Sequence, residues 1–195
     1  MFKTLLVLVS LLLGSNSFSY HTTYADSMQS AARKIGGKAG LNFMLDNFYP
    51  VFNKDYEDGV EWATFVQELA IRNNFKQEEG RSYLSLGVIH YLHGDYEKSI
   101  QHYQLALDIF EALNDSKYLG ATHNEMYVYS RKQGQLDESL KHVEKAFYYC
   151  AACEDYACLV TAFSNQGIIY QMQEEYDMAK SAYQKALDIA IEQKI

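Results

Sequence analysis

Residues 103–109, Tyr-Gln-Leu-Ala-Leu-Asp-Ile, return at 183–189 as Tyr-Gln-Lys-Ala-Leu-Asp-Ile, and Gly87, Ile89 and Tyr96 return in the same register as Gly167, Ile169 and Tyr176. A weaker copy lies at half that distance: Gly80/Gly120, Gly94/Gly134, Ser99/Ser139, His102/His142 and Ala106/Ala146 are each 40 residues apart. An earlier copy is marked by Gly40/Gly80, by Asp55-Tyr56-Glu57 against Asp95-Tyr96-Glu97, and by Asn74/Asn114. A fixed period without insertions constrains the fold severely. Each unit must bury one face against the next, so the units stack in a line around a shared core. The reading is four units, at about 40–79, 80–119, 120–159 and 160–195, preceded by an N-terminal tail with a short helix at about 26–35 inside 20–39.

Within a unit the apolar residues follow helical spacing. Tyr83, Leu86 and Gly87 form one stripe, and Ile100, Tyr103, Ala106, Leu107 and Phe110 form another, so each unit is a pair of helices. Gly94-Asp95 and Gly134-Gln135 separate the two, because glycine ends a helix in the left-handed conformation and Asp95 caps the next one. Strand-type alternation is absent, and the fold class expected is all-α. Pro50 is expected to kink the helix it falls in.

The order of large and small residues resembles the tetratricopeptide repeat (TPR). The last unit carries Phe163, Gly167, Tyr170, Tyr176, Ala179, Tyr183, Ala186 and Leu187 at the positions of that pattern, and the second carries Tyr83, Leu86, Gly87, Gly94, Tyr96, Ser99, Tyr103, Ala106 and Leu107. The small members, Gly87, Ser99 and Ala106, let two helices approach while the aromatics fill the gaps. The unit at 119–158 departs from the pattern, with Tyr127 in place of glycine and Ser130 in place of tyrosine, and the first unit departs at Asn47, Pro50 and Ala63. The resemblance implies a right-handed α-α superhelix, here three clear and one divergent helix pairs.

The composition, 48% apolar and 14% aromatic with 17 tyrosines and one proline, is that of a folded chain. A formal net charge of -8 without any cluster of Lys and Arg opposes nucleic-acid binding, which needs clustered cations against phosphates. Lys3 followed by an apolar run over 4–14 reads as a secretory signal peptide, 1–19, cleaved after Ser17 or Ser19; the run is too short to span a membrane as a helix. The alternative is a leader that stays on as an anchor. No later stretch is apolar enough to cross a bilayer, and export to the periplasm or the medium is the expectation.

Chemistry-bearing motifs have plain readings. Cys150, Cys153 and Cys158 lack the fourth ligand of a structural zinc site. Cys150 lies on an inward stripe as a small buried side chain, and in an exported protein a disulfide of Cys150 or Cys153 with Cys158 is open. His90 occupies an internal tyrosine position of the repeat and reads as a packed imidazole. Gly36-Gly37-Lys38-Ala39-Gly40 lacks the Ser/Thr and the preceding strand of a phosphate loop. Asp108, Glu111, Asp188 and Glu192 fall on an outer face, and Asn114-Asp115-Ser116 is a glycosylation sequon. No nucleophile, base and oxyanion donor stand in a shared pattern, so the expectation is a non-enzyme with no cofactor and no metal.

With Tyr83, Leu86, Gly87 and His90 turned toward the paired helix, the stripe Arg81, Leu84, Ser85, Val88 and Tyr91 points elsewhere. In the superhelix that the resemblance implies, this stripe lines the concave groove. Its continuation is Asn124, Glu125, Val128, Arg131 and Lys132, then Asn165, Ile168, Gln171 and Met172. Apolar contacts mixed with amide and guanidinium donors suit an extended peptide or a partner helix. The expected function is therefore a protein- or peptide-binding scaffold outside the cytoplasm, as the sensor part of a larger signalling protein or on its own. The alternative is a cytoplasmic peptide-sensing regulator of a transcription factor. Ala186, Ile189 and Ala190 in the last unit leave an apolar face, for which either a continuation of the chain in the native gene or self-association through the C-terminal repeat is expected.

Overall fold

The computed structural model describes residues 30, 32–47 and 56–195. The leader and its cleavage sites, the start of the expected short helix at 26–29, and Pro50 with its expected kink lie outside the described residues. Among the described residues eight helices follow a helical turn over 32–35: α1 (Gly37–Asp46), α2 (Tyr56–Arg72), α3 (Lys76–His93), α4 (Tyr96–Leu113), α5 (Ser116–Lys132), α6 (Leu136–Ala152), α7 (Tyr156–Met172) and α8 (Tyr176–Gln193). From α2 onward the helices begin at 56, 76, 96, 116, 136, 156 and 176. The 40-residue repeat is thus two equal halves of 20, each a helix of 17 or 18 residues and a turn of two or three.

Local chemistry sets these boundaries. Asp95, Asp115 and Asp155 each accept a hydrogen bond from the backbone N–H three residues on, at Lys98, Tyr118 and Cys158, which satisfies a donor that the first helical turn leaves open. At the other ends, Gly94 and Gly134 take positive φ of 87° and 73°, and Asn74 and Asn114 take 56° and 51°, reversing the chain within a few residues.

The helices pair as α3 with α4, α5 with α6 and α7 with α8, and successive pairs stack through the first helix of the next. The pairs begin four residues before the units drawn from the glycines. Gly80 and Gly120 lie one turn inside α3 and α5, where a Cβ would meet the Phe110 ring at 2.7 Å and the Cys150 Sγ at 2.7 Å. They mark close approach between helices rather than the edge of a repeat.

The core runs along the stack in segments. Leu41, Met44, Leu45, Trp62, Ala63, Val66, Leu86 and Ile89 fill the first; Tyr103, Ala106, Leu107, Phe110, Leu119 and Met126 the second; Tyr127, Val143 and Ile169, then Ala146, Cys150 and Ala162, the rest. At the axis of each pair one residue is large and its opposite small. A Cβ on Gly87 would enter the Tyr103 ring, and one on Gly167 the Tyr183 ring. In the middle pair the sizes are exchanged: Tyr127 fills the space and Val143 faces it, both buried. The departure from the repeat pattern at 127 is therefore a volume trade across the pair.

Candidate partner-binding face

The first helices of the pairs, α3, α5 and α7, present the stripe expected to line the groove, and the structure divides its residues into committed and uncommitted ones. Arg81 is committed. Its guanidinium donates to Asn42 Oδ1 at 2.6 Å and ion-pairs with Asp46, both on α1, and lies 5.2 Å over the ring of Tyr118. Asn124 and Asn165 are also committed: Asn165 Nδ2 donates to Asn124 Oδ1 at 3.1 Å, and Asn124 Nδ2 donates to the Cys158 carbonyl at 3.4 Å. Both asparagines are buried, 7% and 8% exposed, and tie α5 to α7. The amides read from sequence as ligand donors hold the solenoid together instead, because consecutive first helices pack closely enough to pair them. Gln171 accepts from the Tyr183 hydroxyl at 3.2 Å.

The remaining stripe residues stand differently. Leu84, Ser85, Val88, Tyr91, Val128 and Ile168 are half-buried, while Lys132 and Met172 are exposed. Glu125 is half-buried and makes no hydrogen bond or ion pair among the described residues; burial pushes its carboxyl up to about 7. Arg131 packs its guanidinium 5.7 Å over the Tyr127 ring, and its Nε is buried without a hydrogen bond. Tyr91, across from them on α3, feels both groups: burial raises its hydroxyl pKa, Arg131 opposes the rise and Glu125 adds to it. Glu125 and Arg131 on α5 and Tyr91 on α3 thus bring an acid, a base and a phenol within electrostatic reach of one another. Among the described residues no group of three or more His, Cys, Asp or Glu is placed to hold a metal ion.

Sequence reasoning missed Asn42 and Asp46, whose α1 precedes the recognisable repeats, and Tyr96 and Tyr129, whose rings extend Tyr91 along the wall at 5.7 and 6.5 Å. The aromatic character of 91, 96 and 129 was available as a signal, but their convergence depends on the stacking of α5 against α4.

Cys150 and Cys158 form a disulfide that closes the turn from α6 to α7, and Cys153 is a free, exposed thiol. Of the pairings open in the sequence, this one uses the inward-facing cysteine. Gly120 makes room for both sulfurs.

Helix pairs stacked at constant spacing, with a half-open inner face, define an α-helical repeat scaffold. Two tetratricopeptide-repeat family models match the chain, over residues 80–112 and 118–192, and the protein belongs to the tetratricopeptide-repeat family. Among curated relatives, tetratricopeptide repeat protein 29 of Macaca fascicularis is 25% identical over 142 residues and that of Homo sapiens 24% over 140. Each match covers 72% of this chain, which spans only 30% of the length of these relatives. Among solved structures, BtubC (BKLC) from P. vanneervenii superposes with a TM-score of 0.61 at 17% identity, covering 71% of this chain and 58% of that one. The apo form of RapI superposes at 0.51 and 17% identity, covering 88% and 72%. These likenesses establish the fold, a right-handed TPR superhelix.

Proposed function

We infer that the protein is a binding scaffold that holds a peptide or partner segment along the faces of α3, α5 and α7, and that it works outside the cytoplasm, as a sensor part of a signalling assembly. The observation that carries the binding reading is the uncommitted set Tyr91, Glu125 and Arg131. Half-buried charged groups without a hydrogen-bond or ion-pair partner are costly unless something else pairs them, and the same stripe carries the apolar Val88, Val128 and Ile168. Export is supported by the apolar leader at 4–14 and by the Cys150–Cys158 disulfide, a bond that persists in oxidising compartments.

The test uses the full chain as bait against host envelope extract, followed by affinity measurement on whatever is retained. Glu125→Gln with Arg131→Ala is expected to weaken binding about tenfold or more with unchanged helicity. Retained affinity in that variant and in Tyr91→Ala, with loss on mutating Asp108 and Glu111 on the outer face, moves the site off this groove. N-terminal sequencing of the protein recovered from its host tests export separately, and an intact Met1 in the cytosolic fraction supports the cytoplasmic regulator instead.

A further inference from the structure

Glu125 is a charge that the repeat does not ask for. In the 40-residue register the same place on the first helix is held by Ser85 on α3 and by Asn165 on α7, neither of them charged. Stacking of the pairs is therefore met without a carboxylate at this position. The side chain is half-buried and makes no hydrogen bond or ion pair among the described residues, and burial alone accounts for its raised pKa. Arg131, the opposite charge on the same helix, lies instead over the Tyr127 ring at 5.7 Å.

Three tyrosines come to the same stretch of wall from three helices. Tyr129 stands one turn beyond Glu125 on the same face of α5. Its ring meets Tyr96 of α4 edge to face at 6.5 Å, and Tyr96 lies 5.7 Å from Tyr91 of α3, which is itself within electrostatic reach of Glu125. All three are half-buried, so none is sealed from a partner. A carboxylate that has lost much of its water and ring faces that carry negative charge density both favour a cation. A neutral donor answers the carboxylate but gains little from the rings. A guanidinium answers both, because it is planar, weakly hydrated and offers two parallel N–H groups to one carboxylate. The net charge of -8 draws basic segments toward the molecule as a whole. Arg131 opposes a second cation close by, and Val88 and Val128 on the same stripe suit apolar neighbours, so the segment that fits carries one basic side chain between apolar ones.

We propose, on the groove reading above, that the bound segment is anchored by a basic side chain, an arginine before a lysine, whose cation pairs with Glu125 against the rings of Tyr91, Tyr96 and Tyr129. A random heptapeptide library displayed on phage, panned against the full chain and against Glu125→Gln, Glu125→Lys and Tyr91→Ala, tests this. Selection on the wild type should enrich arginine, and lysine less strongly, at one position between apolar residues. Synthetic copies of the enriched peptides should bind Glu125→Gln about tenfold or more weakly. Replacing their arginine by citrulline should cost the wild type as much and Glu125→Gln little, as a coupled pair requires. Glu125→Lys should turn the selection toward acidic peptides, and Tyr91→Ala should weaken all groove-bound peptides whatever their charge. Glu125 has no partner to lose, so circular dichroism should be unchanged; should Glu125→Lys lose helicity, Glu125→Gln with the citrulline peptides decides. Enriched peptides that lack a basic residue yet are weakened by Tyr91→Ala keep the groove and overturn the cation anchor. Arginine peptides that bind Glu125→Gln as tightly as the wild type overturn it too. No enrichment, or enrichment indifferent to Tyr91→Ala, overturns the groove and the anchor together.

Discussion

At position 87 a glycine sits under the ring of Tyr103, and at 127, the matching place one pair later, a tyrosine sits opposite Val143. The same volume is filled from opposite sides. Close-packed interiors tolerate such exchanges when the total is kept and resist one-sided changes. Gly87→Ala is therefore expected to cost about 1–3 kcal/mol, although alanine is the better helix former by about 1 kcal/mol. Gly87→Tyr alone should cost more, and Gly87→Tyr with Tyr103→Val, which copies the middle pair, should recover most of the loss. Chemical denaturation of the four proteins in a double-mutant cycle checks this, and additive losses would show that the pairs are not interchangeable. This reciprocity was half legible: the sequence shows the glycine missing at 127, but that Val143 is its complement follows only from which side chains meet. The same limit applied to Asn124 and Asn165. Their helix face was readable from spacing, whereas their hydrogen bond to each other depends on how closely α5 and α7 pack.

At the scale of the helices, the caps explain an unevenness in an otherwise regular chain. The N-caps of α4, α5 and α7 are aspartates that bond the first turn, while α6 begins after Gln135, whose side chain makes no capping bond. Gln135→Asp should stabilise the protein by about 0.5–1 kcal/mol, and Asp155→Ala should cost about 0.5–2 kcal/mol, both read from urea midpoints at constant m. Helix identity and the α3–α4 turn were legible because Gly94-Asp95 combines a left-handed stop with a cap. The start of each pair was not, because the repeated glycines at 80 and 120 report where helices touch, one turn inside the element. The disulfide was one of two open pairings in the sequence, and which one forms depends on how the end of α6 meets the start of α7.

For the molecule as a whole, acid is the condition to which this solenoid should be most sensitive. His90, His102, His123 and His142 all lie between paired helices. His123 and His142 share a hydrogen bond between their Nδ1 atoms at 3.1 Å, which requires the accepting ring to be neutral and is lost when both are protonated. Burial lowers all four imidazole pKa values; that of His123 falls to about 3, with the neighbouring His142 adding to the effect. The unfolded chain takes up these protons near pH 6.5 and the folded chain only further down, so stability is full above that value and falls as pH drops below it. At pH 5, His123 alone contributes a loss of about 2 kcal/mol. Glu125 works in the opposite direction, since its raised carboxyl binds a proton in the fold between about 7 and 4.5, and at pH 5 it offsets a loss the size of that from His123, so the net fall is carried by His90, His102 and His142. Thermal midpoints should therefore fall steadily from neutral pH to pH 5, and His123→Phe should flatten that slope; a pH-independent midpoint would mean the imidazoles are already charged or solvated in the fold.

The even spacing of helix starts, 56 through 176 in steps of 20, has a consequence for surgery on the chain. Because every junction falls at the same phase, excising 116–155 joins Asp115 to Tyr156 and hands α4 a new neighbour whose stacking face already faces the right way. Excising 20 residues instead, 116–135, also preserves each helix, yet it turns every later groove wall into an outer wall and every outer wall into a groove. The first deletion should yield a shorter, cooperatively melting helical array, and the second a chain that retains helical segments without a shared melting transition. A molecule built on this ruler can lose or gain length in whole pairs and still present one continuous inner surface, but it has no tolerance for half a step.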